Sequence, residues 1–490
     1  MRSCFAVTVL LSLAPGLAPA QSTPPKPIEM TASPAAASAP SFKYPLLPSS
    51  ARLIPGDAAP ILLRLRFEVN DQDWSDMSQK TAEWNQKPLR DLPLPEVKAM
   101  VEKWQRRLDL LAIAARRQQC DWGYPIAEQR TDVINIGIAD ASTMRDLSRL
   151  QTLKARLDIA EGRFDDAARS IETGMAFARK VGKGPFLINA LVGIAMAAQT
   201  LAVVEDWIAA PNSPNLYWSL TALPTPLVDT YDAFEQERAL ASNVIPELVS
   251  DDLPETPEGW TLRLAAMYDR MRKLTGQLFP ELVASAKAEA AKSGDHAPDR
   301  TAENLKSSLG ANLSEYRRKH LATFRKTLAD HGGLPADRIA AMTDDEAAAR
   351  GLILGFRILW DRLFEPAYLT LAEAEGHREE YERETRAAQE GPFALFASIH
   401  ASALGALQAE ARLPRRVAML RTVEAVRMYA AAHEGRLPAS LGDVHEAPVP
   451  VDPVSGSAFL WKVDGDVATL AAPTSPKMWS QDYRIVIRKK

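Results

Sequence analysis

Hydrophobic residues recur at helical spacing through most of the chain, and the clearest run begins at residue 142. Met144, Leu147, Leu150, Leu153 and Leu157 follow one another every three or four positions. This period places the five side chains on one face of a helix and leaves the intervening charged residues to solvent. The pattern predicts a long amphipathic helix.

Glycine residues divide the stretch from 142 to 207 into three predicted helices. Gly162 is expected to end the first helix, because glycine adopts the left-handed conformation after a helix without a Cβ penalty. A second amphipathic run starts at Phe164. Gly182 and Gly184 interrupt the chain again before a third helix, whose first turn suits Pro185. The first two helices therefore form a helical hairpin over residues 142–181.

The turn of this hairpin resembles that of a tetratricopeptide (TPR) hairpin. Gly162, Phe164 and Ala167 carry the resemblance, which implies antiparallel helical hairpins in a TPR-like or solenoid arrangement. A repeat with the period of about 34 residues is expected near residue 196, but no second Gly-x-aromatic-x-x-Ala pattern occurs there. A weaker internal similarity relates residues 160–163 to 374–377 and residues 184–186 to 391–393. Two related structural blocks would explain this similarity, and so would chance, because helix-turn residues recur.

Helical periodicity continues on both sides of the hairpin. Pro95 opens a helix, and further apolar stripes occur between residues 224 and 278 and between residues 313 and 371. Another apolar helix follows Pro392. The charged, alanine-rich stretch at 286–301 has the composition of a boundary. We predict a mainly α protein, with one helical domain at 49–290 and a second helical region at 291–410.

The tail from residue 411 changes from helical periodicity to a helix followed by short β-type runs. The helix Val417–Ala432 precedes the runs Phe459–Val463 and Val467–Ala471, which Asp464-Gly465-Asp466 joins. Asp-Gly between two such runs favours a type I′ hairpin. Residues 483–487 form a candidate third strand. The sequence thus predicts a small C-terminal α+β module at 411–490.

The tail contains the helix, a Gly-Arg-Leu-Pro turn at 435–438, an Asp-Pro-Val-Ser-Gly loop at 452–456 and the hairpin. Together these elements resemble the C-terminal part of the major pseudopilin of type II secretion. The resemblance implies a role in location or assembly and raises the question of calcium binding. Asp452, Asp464 and Asp466 are the nearest carboxylates, and turn chemistry explains these residues equally well. Pseudopilins join this module to an apolar N-terminal helix, whereas here it follows a long chain.

A second resemblance covers roughly residues 55–210. Four segments are similar to segments of a group of exported bacterial helical proteins. They are Ala-Ala-Arg-Arg at 114–117, Cys-Asp-Trp-Gly at 120–123, Gly-Arg-Phe-Asp-Asp-Ala at 162–167 and Leu-Val-Gly-Ile-Ala at 191–195. The resemblance implies a shared architecture and carries no chemistry.

The N-terminus has the features of a secretory signal peptide over residues 1–20. Arg2 precedes the apolar run Phe5–Leu13, and Ala-Pro-Ala at 18–20 fits a cleavage site. The signal predicts a periplasmic or secreted protein. Residues 21–48, rich in proline, alanine and serine, are predicted to be a disordered linker. The mature chain keeps only Cys120, which is either buried as a small apolar side chain or paired between chains.

Composition restricts the range of partners. The 58 Lys and Arg residues are balanced by 62 Asp and Glu residues, so no overall positive field favours nucleic acid. The stretch 184–204 carries no charge and is long enough to span a membrane. Asn189, Gln199 and Thr200 lie within it, and the preceding hairpin needs a partner for its apolar faces. We therefore favour a buried core helix and keep the membrane span as the alternative.

The sequence contains no zinc-protease, di-iron, nucleophile-elbow or phosphate-loop motif. The seven His residues are scattered singly, so no catalytic, cofactor-binding or metal-binding residue is assigned, and no cofactor is expected. His400 is interpreted as a core residue. The acidic run at 379–384, interleaved with arginines, is typical of a solvated helix face. Trp122 either lines a recognition groove or packs under a helix end.

Three functions are compatible with these features. The first is an exported helical scaffold that binds a protein or peptide and has no enzymatic activity. The second is a component of cell-envelope secretion or assembly that uses the pseudopilin-like tail. The third is a hydrolase whose residues come together only in the fold.

Overall fold

The computed structural model describes residues 26–67, 69–124, 132–278, 305, 307–399, 402–473 and 482–488. These residues are mainly helical with a small sheet region, as predicted. The helices are α1 (Ala59–Arg64), α2 (Asp71–Trp84), α3 (Leu94–Ala115), α4 (Asp132–Ala160), α5 (Phe164–Gly182), α6 (Leu187–Ala209), α7 (Tyr217–Thr221), α8 (Tyr231–Val244), α9 (Pro257–Leu278), α10 (Leu313–His331), α11 (Ala336–Ala341), α12 (Asp344–Phe364), α13 (Leu371–Gly376), α14 (Arg378–Glu390), α15 (Ala394–Ile399) and α16 (Ala403–Ala432). The strands are β1 (Ile28–Ala32), β2 (Ile54–Asp57), β3 (Arg117–Gln119), β4 (Leu460–Asp464), β5 (Val467–Ala471) and β6 (Tyr483–Ile487).

The chain divides into two compact units. Unit 1 comprises the described residues of Tyr124–Ile136 and Phe234–Ala406. Unit 2 comprises those of Ala14–Gly123, Gly137–Ala233 and Leu407–Lys490. The predicted boundary at 290 therefore falls inside unit 1, in a part that the structure does not describe.

Local signals in the sequence explain many of the helix ends. Gly162 has φ +71°, and α5 begins two residues later at Phe164, as predicted. Asn70, Asn312 and Thr343 each accept a hydrogen bond from the backbone N–H three residues on, which satisfies a donor that the first turn leaves unpaired. The three helices predicted between residues 142 and 207 are confirmed as α4, α5 and α6. The predicted place of Pro185 in the first turn of the third helix was wrong, because α6 begins at Leu187.

The larger sheet, in unit 2, has the order β1-β6-β5-β4. Strand β5 pairs antiparallel with β4 and β6, which confirms the predicted hairpin and third strand. Gly465 has φ +60° whereas Asp466 has no positive φ. Positive φ at the first central position alone is the pattern of a type II′ turn, so the type I′ prediction was wrong.

The prediction of a disordered linker was wrong for residues 26–48. Strand β1 pairs in parallel with β6, from Ile28 opposite Tyr483 to Ala32 opposite Ile487. Met30 and Ala32 are buried, as are Tyr44 and Leu46 further along. The alternation of apolar and polar residues at 28–32 matches a strand with one face in the core, and its surroundings of proline and alanine masked this pattern.

The tail, residues 411–490, belongs to unit 2 and forms hydrogen bonds with other segments of that unit. Arg416 in α16 donates to Glu205 of α6 from Nε at 2.8 Å, and Tyr483 of β6 donates to the same carboxylate oxygen at 2.6 Å. Arg427, completely buried in α16, donates to the carbonyl oxygens of Ser33 at 2.8 Å and Ser213 at 2.7 Å. These bonds join the tail to the N-terminal segment and the middle of the chain.

Helix α6 is long and apolar enough to cross a membrane, and it is the one helix of the described part that passes this test. In its most apolar window 72% of the residues are buried within the protein. Glycines allow α5 and α6 to pack closely, because Gly193 lies against the backbone of Ala178 and Gly182. Most of this helix is therefore covered by other parts of the protein.

Three predictions concern residues outside the described part. They are the signal peptide at 1–20, the boundary stretch at 286–301 and the core role of His400.

Candidate ligand groove

Unit 1 contains a cavity of about 770 Å³ between α12, α14, α15 and the start of α16. We call it the groove. Its apolar floor is formed by Ile358, Leu359, Leu363, Phe393, Ala397 and Leu404. A volume of this size falls within the range of roughly 300–1,000 Å³ that is usual for ligand sites.

Helix α12 forms the floor because two of its glycines allow close packing. A side chain at Gly351 would meet Phe324 of α10, and one at Gly355 would meet the ring of Phe393. The ring of Phe393 therefore packs against α12 at Gly355 and is part of the floor. Ile358 lines the groove and is 40% exposed.

Helix α14 forms one wall of the groove, and none of its residues is fully buried. Arg362 of α12 holds this wall by donating from Nη2 to Glu380 and from Nε to Glu384, both at 2.7 Å. The guanidinium also bonds Glu365 and lies 5.0 Å from the centre of the Tyr381 ring. The hydrogen bond with Glu384 is the main cause that raises the pKa of Arg362 above its ordinary value.

The rim of the groove carries charges of both signs in balance. Arg378 pairs with Glu375 and Glu382, at 2.5 and 3.2 Å. Arg386 lies 3.8 Å from Glu382 and is largely exposed. The lining residues include three arginines and three glutamates, so the groove has an apolar floor and a charged rim without net charge.

The sequence predicted part of this arrangement. The acidic run at 379–384 was predicted to be a solvated helix face, and the exposure of α14 confirms it. The groove itself was missed, because its central contact joins Arg362 to residues about 20 positions later. Helical spacing places Arg362 one turn after Ile358. In the sequence, this spacing was the signal that a charged residue lies next to the apolar floor.

In the described part of the chain, no group of three or more His, Cys, Asp or Glu side chains could hold a metal ion. His331 lines the groove singly. His320 is buried in α10 and bonds the Ser308 carbonyl at 2.8 Å, and burial lowers its pKa. It is therefore a neutral core residue at neutral pH.

Trp122 packs under a helix end, which was one of its two predicted roles. Its ring is buried, and its indole N–H donates to the carbonyl of Lys180 in the last turn of α5, at 3.2 Å. Cys120 is half-buried and forms no disulfide. Burial raises the pKa of its thiol to about 12, so the thiol stays protonated and unreactive at neutral pH.

The carboxylates considered for calcium have other positions. Asp452 is buried and receives two hydrogen bonds from Arg415, from Nε and Nη2, each 2.9 Å long. It also accepts from the backbone N–H of Val454 at 3.1 Å, so its oxygens are used within the protein. Asp464 ends β4, and Asp466 lies in the following turn.

Comparison with known proteins gives no match to any protein family, any curated protein or any solved structure.

Proposed function

We propose that this protein is an exported helical binding protein whose groove in unit 1 takes an amphipathic helical segment of a partner protein. The apolar floor beside a balanced charged rim is the observation that carries the proposal. A partner helix would lay an apolar stripe on the floor and place charged residues of either sign against the rim. The exposure of Ile358 supports this occupant, because such a partner would bury it.

The charge pattern favours a peptide over a strongly anionic or cationic ligand. Arg362, Arg378 and Arg386 each have a glutamate partner, so the rim offers no concentrated charge of one sign. A segment with mixed flanking charges matches this surface, as an amphipathic helix does. The size of the groove also suits a short peptide segment better than a large folded surface.

We also propose that the hairpin of α4 and α5 has a TPR-like form. Gln151 of α4 donates to the carbonyl of Ser170 in α5 at 2.9 Å, and Lys154 and Ser170 both bond Asp158. These contacts and the left-handed Gly162 support a tight antiparallel hairpin. A solenoid built from such hairpins would offer extended surfaces for protein partners.

Export remains part of the proposal on the basis of the signal-like residues 1–20 and places the protein in the periplasm or outside the cell. Assembly through a free pseudopilin-like tail receives less support, because that tail forms bonds throughout unit 2. We therefore propose a protein or peptide partner and no role for nucleic acid.

Peptide selection on the full-length protein tests the proposal. Helical peptides selected from a displayed library should carry apolar residues at positions i, i+3, i+4 and i+7. Ile358→Glu should weaken the binding of a selected peptide at least tenfold, or about 1.4 kcal/mol, because it puts a charge on the floor. Isothermal titration calorimetry measures this effect.

Leu262→Glu is the matched control, because Leu262 also lies in unit 1, is 72% exposed and does not line the groove. This variant should bind the peptide within about twofold of the unchanged protein. Equal loss in both variants, or no enrichment of amphipathic peptides, would reject the groove as the binding site.

A further inference from the structure

Two arginines of unit 2 lie one helical turn apart on α16 and differ in their partners. Arg415 is 2% exposed and binds Asp452 through two parallel hydrogen bonds. Arg412 is half-buried, and its charge and that of Arg415 act on each other. Burial, and then the charge of Arg415, lower the pKa of Arg412. Asp452 is thus the one carboxylate that forms an ion pair with this arginine pair in the described part of the chain.

Each arginine also has a buried N–H group without an acceptor. These groups are Nη1 of Arg415 and Nε of Arg412, counted over the residues that the structure describes. Burying a donor, and above all a cationic one, without a partner is costly. Asp452 pairs with Arg415 only, so the charge of Arg412 and the two donors remain uncompensated in the described part of the chain.

Asp452 has no capacity to supply the missing acceptors. Besides Arg415, it accepts hydrogen bonds from the backbone N–H of Val454 at 3.1 Å and the hydroxyl of Ser455 at 2.8 Å. A negatively charged group with several acceptor oxygens would satisfy the two unpaired donors.

We propose that Arg412 and Arg415 bind a small oxyanion of the phosphate or sulfate class. The fork of an arginine matches the oxygen spacing of such anions, and one oxyanion can accept hydrogen bonds from both side chains. Arg412 is half-buried and Arg415 is almost completely buried, so Arg412 is the more accessible of the two side chains. The site is independent of the groove, which lies in unit 1.

Titration of the full-length protein with inorganic phosphate tests the proposal. At constant ionic strength, phosphate and sulfate should each raise the melting temperature of unit 2 and bind with one-to-one stoichiometry, and chloride should do neither. Arg412→Gln should lower the phosphate affinity at least tenfold, and Arg412→Lys should lower it less, because it keeps the charge but loses the fork. Arg436→Gln is the control, since Arg436 is exposed in the same unit.

The outcomes separate the alternatives. Unchanged phosphate affinity in Arg412→Gln, stabilisation by chloride equal to that by phosphate, or no binding of phosphate would each overturn the proposal. The circular dichroism spectrum of Arg412→Gln must match that of the unchanged protein, which shows that the variant is folded. If the two spectra differ, the phosphate affinity of Arg412→Lys is compared with that of the unchanged protein instead. Binding to vesicles of anionic phospholipid without binding of free phosphate would also contradict a site for a small anion.

Discussion

Arg427→Met should destabilise unit 2 by about 3–5 kcal/mol, the usual loss when one partner of a buried ion pair is removed. Both Arg427 and its partner Glu424 are completely buried, with Nη1 and Oε2 2.9 Å apart. Arg427 also bonds Ser33 and Ser213, so the substitution breaks the junction of three chain segments. Scanning calorimetry should show the transition of unit 2 moving to lower temperature while that of unit 1 stays in place.

The loss should depend on pH. Burial raises the pKa of Glu424, and Arg427 opposes that rise. Without Arg427 the ionised carboxylate becomes more costly, so the deficit should be smallest near pH 4 and should grow as the pH rises toward 8. Adding Glu424→Gln to Arg427→Met should remove this dependence. A deficit that shrinks with rising pH would contradict the assignment.

Arg90→Met serves as the control for Arg427→Met, because Arg90 lies in the same unit and its side chain is 86% exposed beside Asp91. Its effect should stay within about 0.5 kcal/mol, as is usual for surface substitutions. Similar losses of stability in both variants would mean that the buried contacts of Arg427 contribute no more than an exposed arginine does.

Gly193→Ala should destabilise unit 2 by about 2–3 kcal/mol, at the upper end for overpacking. A Cβ at Gly193 would lie 2.7 Å from the carbonyl oxygen of Ala178 and 2.8 Å from Cα of Gly182. Both contacts are with backbone of α5, which cannot move aside as a flexible side chain would. The loss should appear although alanine favours a helix interior by roughly 1 kcal/mol over glycine. Urea denaturation measures it.

Gly442→Ala is the matched control in unit 2, since the nearest atom to its added Cβ is the Ser440 hydroxyl at an ordinary 3.5 Å. It should leave the denaturation midpoint almost unchanged. If Gly193→Ala is as stable as the unchanged protein or more stable, the close crossing of α5 and α6 is contradicted.

Features set by nearby residues were predictable from the sequence. Gly162 ends a helix because of its own backbone freedom, and the hairpin of β4 and β5 follows from a short turn between two β-type runs. Burial of α6 was also readable from its composition, because a helix that is apolar all round needs cover on every side.

Features that depend on distant partners were not predictable in the same way. Strand β1 is short, lies in proline-rich surroundings and pairs with β6 at the other end of the chain. The groove depends on Arg362 meeting Glu380 and Glu384 across two helices, and a charge pattern alone gives only a solvated face. Arg415 resembles any basic residue of a helix until Asp452 is placed beside it.

Hydrogen exchange of the full-length protein, with and without a selected peptide, tests the groove most directly. The peptide should slow exchange in α12, α14 and α15, which form the floor and one wall of the groove. Exchange in unit 2 should change little, and the protection should disappear in Ile358→Glu. Protection confined to unit 2, or unchanged protection in Ile358→Glu, would contradict it.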